Sequence, residues 1–508
     1  MRKWAPLFVL SLALAIIIID TTLLNVSLTT LVRELHTTLQ SLQWVISAYS
    51  LTLAALTVTG GRVGDLFGRK RMFRLGAIIF AVGSFIASIS RSLPELLIGE
   101  SIIEGIGAAL MMPATASLLV SKYRGHDRSI AFGIWGAIAA AASVVGPILG
   151  GFLTTHYSWR WGFRINVVVA AILVAGAVII DENESGAGKK IDFVGVLLSA
   201  LGLLCVVFGI IESPTYGWTS PIVPGSIAAG IAVLIGFMLW ERRIERGGGT
   251  PIVSMALFSN TTFVAGASVV GVMMLAQNGV IFSLPVFLQS VLSLDAFHTG
   301  LSLLPMSLAL LIVSPAAGFL TKRVPHKRLV QTGLVVSFFA LLVLRASLSA
   351  DMRTAMLIPG LALYGVGLGL VLSQINNLTL SSVPVRDAGE ASGVTNTFRQ
   401  IGSSLGAAII GAILLNVILG GLQNANIPPQ QRAAVQQILN REKSSIAFGS
   451  AETFASLPPP VRAQLTAYRR EATTRGIRAA LLVGAGFMIL AMFVSKWLPL
   501  RAQNTTED

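Results

Sequence analysis

Cysteine is almost absent: the one residue, Cys205, sits inside an apolar run, which excludes an intrachain disulfide and a cysteine-rich metal site. Charge is scarce too, at 12% of residues, where an ordinary soluble domain carries roughly 25%. The five histidines, His36, His126, His156, His298 and His326, stand singly, so neither an HExxH pair nor a histidine cluster offers a metal centre. A P-loop is also missing and no GxSxG stands at a strand-to-helix elbow, so nucleotide hydrolysis is not the energy source, no cofactor is implied, and an enzyme is not the expected class. Aromatic residues are only 7%, and no basic stretch is interleaved with stacking side chains. The net charge of +14 therefore does not mark a nucleic-acid partner.

What is present is apolar sequence, 54% of the chain, in runs of about the twenty residues needed to cross a roughly 30 Å hydrocarbon core. The runs predict helices at 5–28, 43–60, 72–90, 95–120, 129–153, 163–180, 193–211, 221–240, 262–291, 299–320, 329–349, 354–381, 394–420 and 477–498. The opening MRKWAP is like that of a signal peptide, but the run continues to about Leu28 and contains Asp20, so an uncleaved first helix is expected.

An even number of spans puts both termini on one side. Of the 37 Lys and Arg residues, 23 flank spans on the side of the N-terminus, and eight of the remaining 14 fall in the long 421–478 segment, which translocates largely regardless of its charge. Both termini are expected to be cytoplasmic, in a multi-pass protein of a bacterial-type cell membrane. The polar 421–478 segment, with its triplet Pro458–Pro460, reads as an external hairpin of short helices; whether an accessory protein docks there stays open.

Two segments repeat. GRVGDLFGRKR at 61–71 follows the second span and GFLTKRVPHKR at 318–328 follows the tenth, 257 residues later. The repeat predicts two six-helix bundles, 1–180 and 262–500, joined by residues 181–241 with two inserted spans and a loop at 242–261, and ending in a tail at 501–508.

The first copy resembles the loop signature of the major facilitator superfamily, with Gly61, Asp65, Gly68 and Arg69 at matching places. Small residues permit a tight turn, and Asp65 can accept hydrogen bonds from helix termini or arginines, which makes a breakable latch. Gly133, Gly146, Pro147, Gly150 and Gly151 resemble the antiporter signature of the fifth helix, with Ala142 where a glycine is usual. Segments 20–28, 159–167, 251–258, 282–292 and 389–409 are similar to the fourteen-helix drug/proton antiporters of the EmrB/QacA type. That resemblance implies an all-α polytopic membrane protein of major facilitator fold. It also implies proton-coupled export of lipophilic, often cationic, small molecules, with the bilayer, the substrate and protons as partners. The chain departs from the pattern at Ser101 and Glu104, where the fourth helix usually has Arg and Gln, at Arg164 and Val168 in the sixth, and at Lys322 and Pro325 in the second loop copy.

An acid at the centre of a span costs about 2.5–3.5 kcal/mol on insertion scales, so a retained one is expected to face the bundle interior. Asp20 and Glu104 lie at similar depth, and Glu100 is one turn from Glu104 on the same face. These three are the candidates for proton coupling. Asn25, Trp44, Met112, Arg164, Asn166 and Gln289 are candidates for the substrate cavity, and Met111, Met273, Met274 and Phe282 could line it. Arg164 is expected to anchor at the interface beside Trp159 and Trp161 or to pair with an acid, and Arg399 to anchor a helix or cap a gate. A lipid-like exporter or an uptake symporter would use the same fold. A receptor or structural partner would differ in being indifferent to loss of Asp20 and Glu104.

Overall fold

A computed structural model describes residues 3–123, 125–181, 192–249, 251–253, 255–321, 323–383, 388–423 and 459–501, with some side chains inside helices, Asp65 among them, outside that description. The long helices are α1 (Ala5–Glu34), α2 (Leu39–Phe67), α3 (Arg69–Ile89), α4 in three consecutive pieces (Leu93–Leu96, Leu97–Glu104, Gly105–Lys122), α5 (Gly125–His156), α6 (Arg160–Gly176) and α7 (Phe193–Ile211). They continue with α8 (Ile222–Arg246), α9 (Thr261–Ser290), α10 (Ala296–Leu320), α11 (His326–Ser347), α12 (Ile358–Leu380), α13 (Ala388–Gln423) and α14 (Pro459–Val494). Among the described residues thirteen helices are long and apolar enough to cross a membrane, so the chain is a multi-pass membrane protein. The face holding Ala5 is called the near face below, and the one holding Glu34 the far face.

Helix starts follow local chemistry. The side chains of Thr38, Asp192, Asn260 and Asp295 accept from the first free N–H groups of α2, α7, α9 and α10. The segment 61–71 is not an extended loop: α2 runs on to Phe67, and the whole turn into α3 is Gly68, at φ 100° and ψ 126°. Side chains with a Cβ are excluded from that conformation, so Gly68→Ala should lower stability by about 1–2 kcal/mol and the thermal midpoint with it. An unshifted midpoint in a detergent melt would show that the turn relaxes freely.

Packing repeats as the sequence does. In the first group α1 lies on α5, α2 on α4, and α3 on α4 and α6; the same pairs recur eight helices later, α9 on α13, α10 on α12, and α11 on α12 and α14. Glycines set the closest approaches. A Cβ on Gly76 would come within 2.8 Å of the Gly107 carbonyl oxygen, and one on Gly333, again 257 residues on (333 − 76), within 2.7 Å of that of Gly367. The groups meet through α5 on α10 and α2 on α13. The α7–α8 pair straddles that second seam: Leu203, Val207, Ile210 and Ile211 pack with Leu51 and Ala54 of α2 and Ala408 and Ala412 of α13.

One expectation needs correction. Residues 459–478 are not short helices of an external hairpin but the opening turns of the 36-residue α14, which starts 18 residues before the predicted 477. Proline is tolerated in a first turn, and beyond Pro460 the buried Leu465, Ala472, Thr473 and Ile477 continue one apolar face. Arg470 and Arg478 tie this stretch down by donating to the carbonyls of Val291, Ala350 and Leu348. The remainder of the expected hairpin, 424–458, lies outside the described residues.

Candidate coupling and translocation site

The first group encloses a polar cluster. The Asn166 amide nitrogen, from α6, donates to Asp20 Oδ1 on α1 at 2.6 Å and to Glu104 Oε1 on α4 at 3.1 Å. Asp20, Glu100 and Glu104 are 3%, 2% and 0% exposed. The Ser101 hydroxyl lies 2.7 Å from Glu100 Oε2 and 2.7 Å from the Val45 carbonyl of α2. One proton serves two acceptors poorly, and both contacts are well satisfied together when Glu100 is itself protonated and donates. Among the described residues Asp20 Oδ2, Glu104 Oε2, the Tyr49 hydroxyl and the Ser84 hydroxyl are buried without a well-aligned hydrogen-bond partner, and Tyr49 is within electrostatic reach of all three acids.

Backbone geometry arranges this cluster. Leu97–Glu104 is a π-helical stretch inside α4, and it carries Glu100, Ser101 and Glu104. Wide turns of this kind occur mostly at functional sites. Gly99 lets α3 lean on the stretch, since a Cβ there would come within 2.7 Å of the Ala87 nitrogen. On the other side α5 clasps α1 just beyond Asp20: a Cβ on Gly146 would sit 3.3 Å from Ile19 Cα, and one on Gly150 2.9 Å from Leu23 Cα. Gly151 turns to the second group, where its Cβ would meet Phe297 Cα at 2.8 Å, and Gly300 of α10 faces Pro147 in return.

The other sequence candidates separate. Gln289 belongs to a far-face contact between groups, where it donates to the Val26 carbonyl at 2.6 Å and accepts from Thr29. Trp44 donates to Glu212 Oε1 at 3.0 Å and so docks α7. Asn25 turns back to the Thr21 carbonyl of its own helix, and Met112 is half-buried on α4. Arg164 is exposed, its guanidinium 4.9 Å from the Trp161 ring centre, and pairs with no acid of the cluster. Met111, Met273, Met274 and Phe282 are buried in packing cores. Gly61 rests on Pro113 of α4 and Arg69 opens α3, whereas the side chain of Asp65 and the surroundings of Gly133 within α5 fall outside what is described. Sequence reasoning missed Tyr49 and Ser84; the available signal was a hydroxyl inside an apolar span, which calls for a partner.

Comparison with known proteins settles the family. Residues 10–407 match the Major Facilitator Superfamily. The chain belongs to that superfamily. It is therefore a transporter and not an enzyme. This superfamily member is 30% identical over 460 residues to the probable actinorhodin transporter of Streptomyces coelicolor, covering 89% of this chain and 78% of the relative. It is 29% identical over 509 residues to the multidrug resistance protein Stp of Mycobacterium tuberculosis, covering 98% and 92%. In fold it is similar to a bacterial homologue of the human lysosomal transporter Spinster, with a TM-score of 0.63 at 16% identity over 97% of each chain.

Proposed function

We propose that this transporter is a fourteen-helix drug/proton antiporter that exports lipophilic small molecules from the cell. In this reading α5 is the fourteenth span, 1–180 and 262–500 are the two six-helix bundles, and both termini are cytoplasmic. The observation that carries it is the Asp20–Asn166–Glu104 bridge: buried carboxylates share one amide, with no cation beside them among the described residues. Such a pair is tolerable when it holds protons and costly when it is empty and charged. Relatives named as an antibiotic transporter and a multidrug resistance protein support export as the direction.

The geometry is compatible with the following cycle. With the far-face contacts made, substrate enters from the near face and the acids release protons there; when those contacts part, protons return from outside as substrate leaves. The test is efflux of ethidium from proteoliposomes holding purified protein under an imposed pH gradient. Efflux that stops on adding an uncoupler is expected. Ethidium movement equal to that of empty liposomes, with the gradient intact, would overturn the reading.

A further inference from the structure

The second group carries its own buried polar cluster, and its charge is opposite. Arg399 of α13 is half-buried, and the only hydrogen bond of its side chain among the described residues runs from Nη2 to Asn376 Oδ1 of α12 at 3.2 Å. Among the described residues its Nε is buried without a partner, and no carboxylate pairs with it. One turn along α13, Ser403 accepts from the Asn278 amide of α9 at 2.8 Å. Helices α12 and α13 make little direct contact, and the Arg399–Asn376 hydrogen bond links them, with α9 packed on both.

Depth places Arg399 on the near-face side of the acids. Helices α1 and α9 meet at Thr29 and Gln289. At 1.5 Å per residue, Asp20 lies nine residues or about 13.5 Å below that contact, and Asn278 eleven residues or about 16.5 Å below it, with Arg399 a further turn down. Arg399 therefore lies on the opposite bundle from the enclosed acids, roughly 9 Å nearer the near face than Asp20. A structural anchor would have its donors filled. Here the Arg399 Nε–H is unmet, and Asn376, which accepts from Arg399 through Oδ1, keeps its Nδ2 donors.

We propose that Arg399 and Asn376 form a subsite for the acidic group of a lipophilic anion, a carboxylate, sulfonate or phenolate carried on an apolar body. The planar guanidinium presents paired N–H donors to such a group, and the Asn376 amide adds another. The inference rests on the export reading and names a substrate class for it.

The test uses the full-length protein in phosphatidylcholine nanodiscs with two probes, anionic fluorescein and cationic ethidium, followed by fluorescence anisotropy against empty nanodiscs. Arg399→Gln should reduce the ratio of fluorescein to ethidium affinity about tenfold or more, the scale of a charge-assisted hydrogen bond, and Arg399→Lys should reduce it less because charge is kept and the fork lost. An unchanged ratio in Arg399→Gln, or a parent that binds no fluorescein above the empty-disc level, overturns the subsite. So does loss of both probes together with a lowered thermal midpoint, which would make Arg399 a structural anchor. Nanodiscs containing phosphatidylglycerol separate a lipid headgroup from a free ligand: if that lipid displaces fluorescein from the parent and not from Arg399→Gln, the guanidinium is a headgroup site and the substrate assignment fails. Gradient-driven ethidium efflux of the parent is measured alongside. Its absence would count against the export reading, whereas an unchanged ratio beside working efflux removes the subsite alone.

Discussion

Replacing Asp20 with asparagine should abolish uncoupler-sensitive efflux, lowering the gradient-driven rate at least about a hundredfold, if Asp20 carries protons as proposed, because the amide is unable to titrate. Exchange of substrate down its own gradient should continue. Asparagine keeps the shape of the side chain and an oxygen able to accept from Asn166, now 2.6 Å from Asp20 Oδ1, so the bridge between α1 and α6 survives. Glu104→Gln should weaken coupling more mildly, because Asp20 remains to carry a proton. Two carboxylates that draw on one amide titrate as a pair, so the double variant should lose what either single variant retains. Proton release on adding substrate to purified protein separates these cases: the parent releases protons, the single variants fewer, the double variant none. If both single variants pump and release protons as the parent does, the acids are structural and the coupling mechanism is wrong.

The fold was legible because span length and hydropathy are properties of single segments. Apolar runs located the long helices, and the Gly61-to-Arg71 repeat foretold a packing repeat, which Gly76 and Gly333 then realise between helices. Ends were less legible. The span expected at 477 starts at Pro459 because a polar segment that buries one face and caps neighbouring carbonyls with Arg470 looks like a loop to any hydropathy window.

The site was legible in part. Asp20, Glu104 and Asn166 could be named from chemistry, since acids and amides in spans need partners. Their convergence depends on a π-helical stretch in α4 that changes which residues share a face, and no spacing rule for an ordinary helix contains it. Trp44 and Gln289 went to α7 and to the far-face contact instead of the cavity, because an indole N–H and a side-chain amide serve a helix seam as well as they serve a ligand. Arg164 followed its aromatic neighbour: a long cationic side chain near a helix end stacks on Trp161 more cheaply than it enters the bundle.

Gly151→Leu should hold the transporter open at the far face and reduce transport by one to two orders of magnitude. Gly151 belongs to the signature glycines of α5, but unlike Gly146 and Gly150 it faces the other bundle, where an added Cβ would come within 2.8 Å of Phe297 Cα and closer still to the Ala296 carbonyl. Backbone cannot yield as a flexible side chain does, so α5 and α10 must part. Overpacking of this kind costs about 1–3 kcal/mol. Because the cost falls only on the state with these helices in contact, it shifts a two-state equilibrium about 5- to 150-fold toward the open one. Gly151→Ala, with a single methyl group, should show the same effect more weakly. The readout is labelling of Ser27→Cys, a position buried beside Thr154 at the far end of α1, by an impermeant maleimide in a background where Cys205 is serine. Labelling should be faster in Gly151→Leu than in Gly151→Ala, and slowest with Gly151 intact. Parental labelling and transport in the leucine variant would mean that the α5–α10 contact does not gate access, and alternation would have to be sought at the α2–α13 seam that α7 straddles.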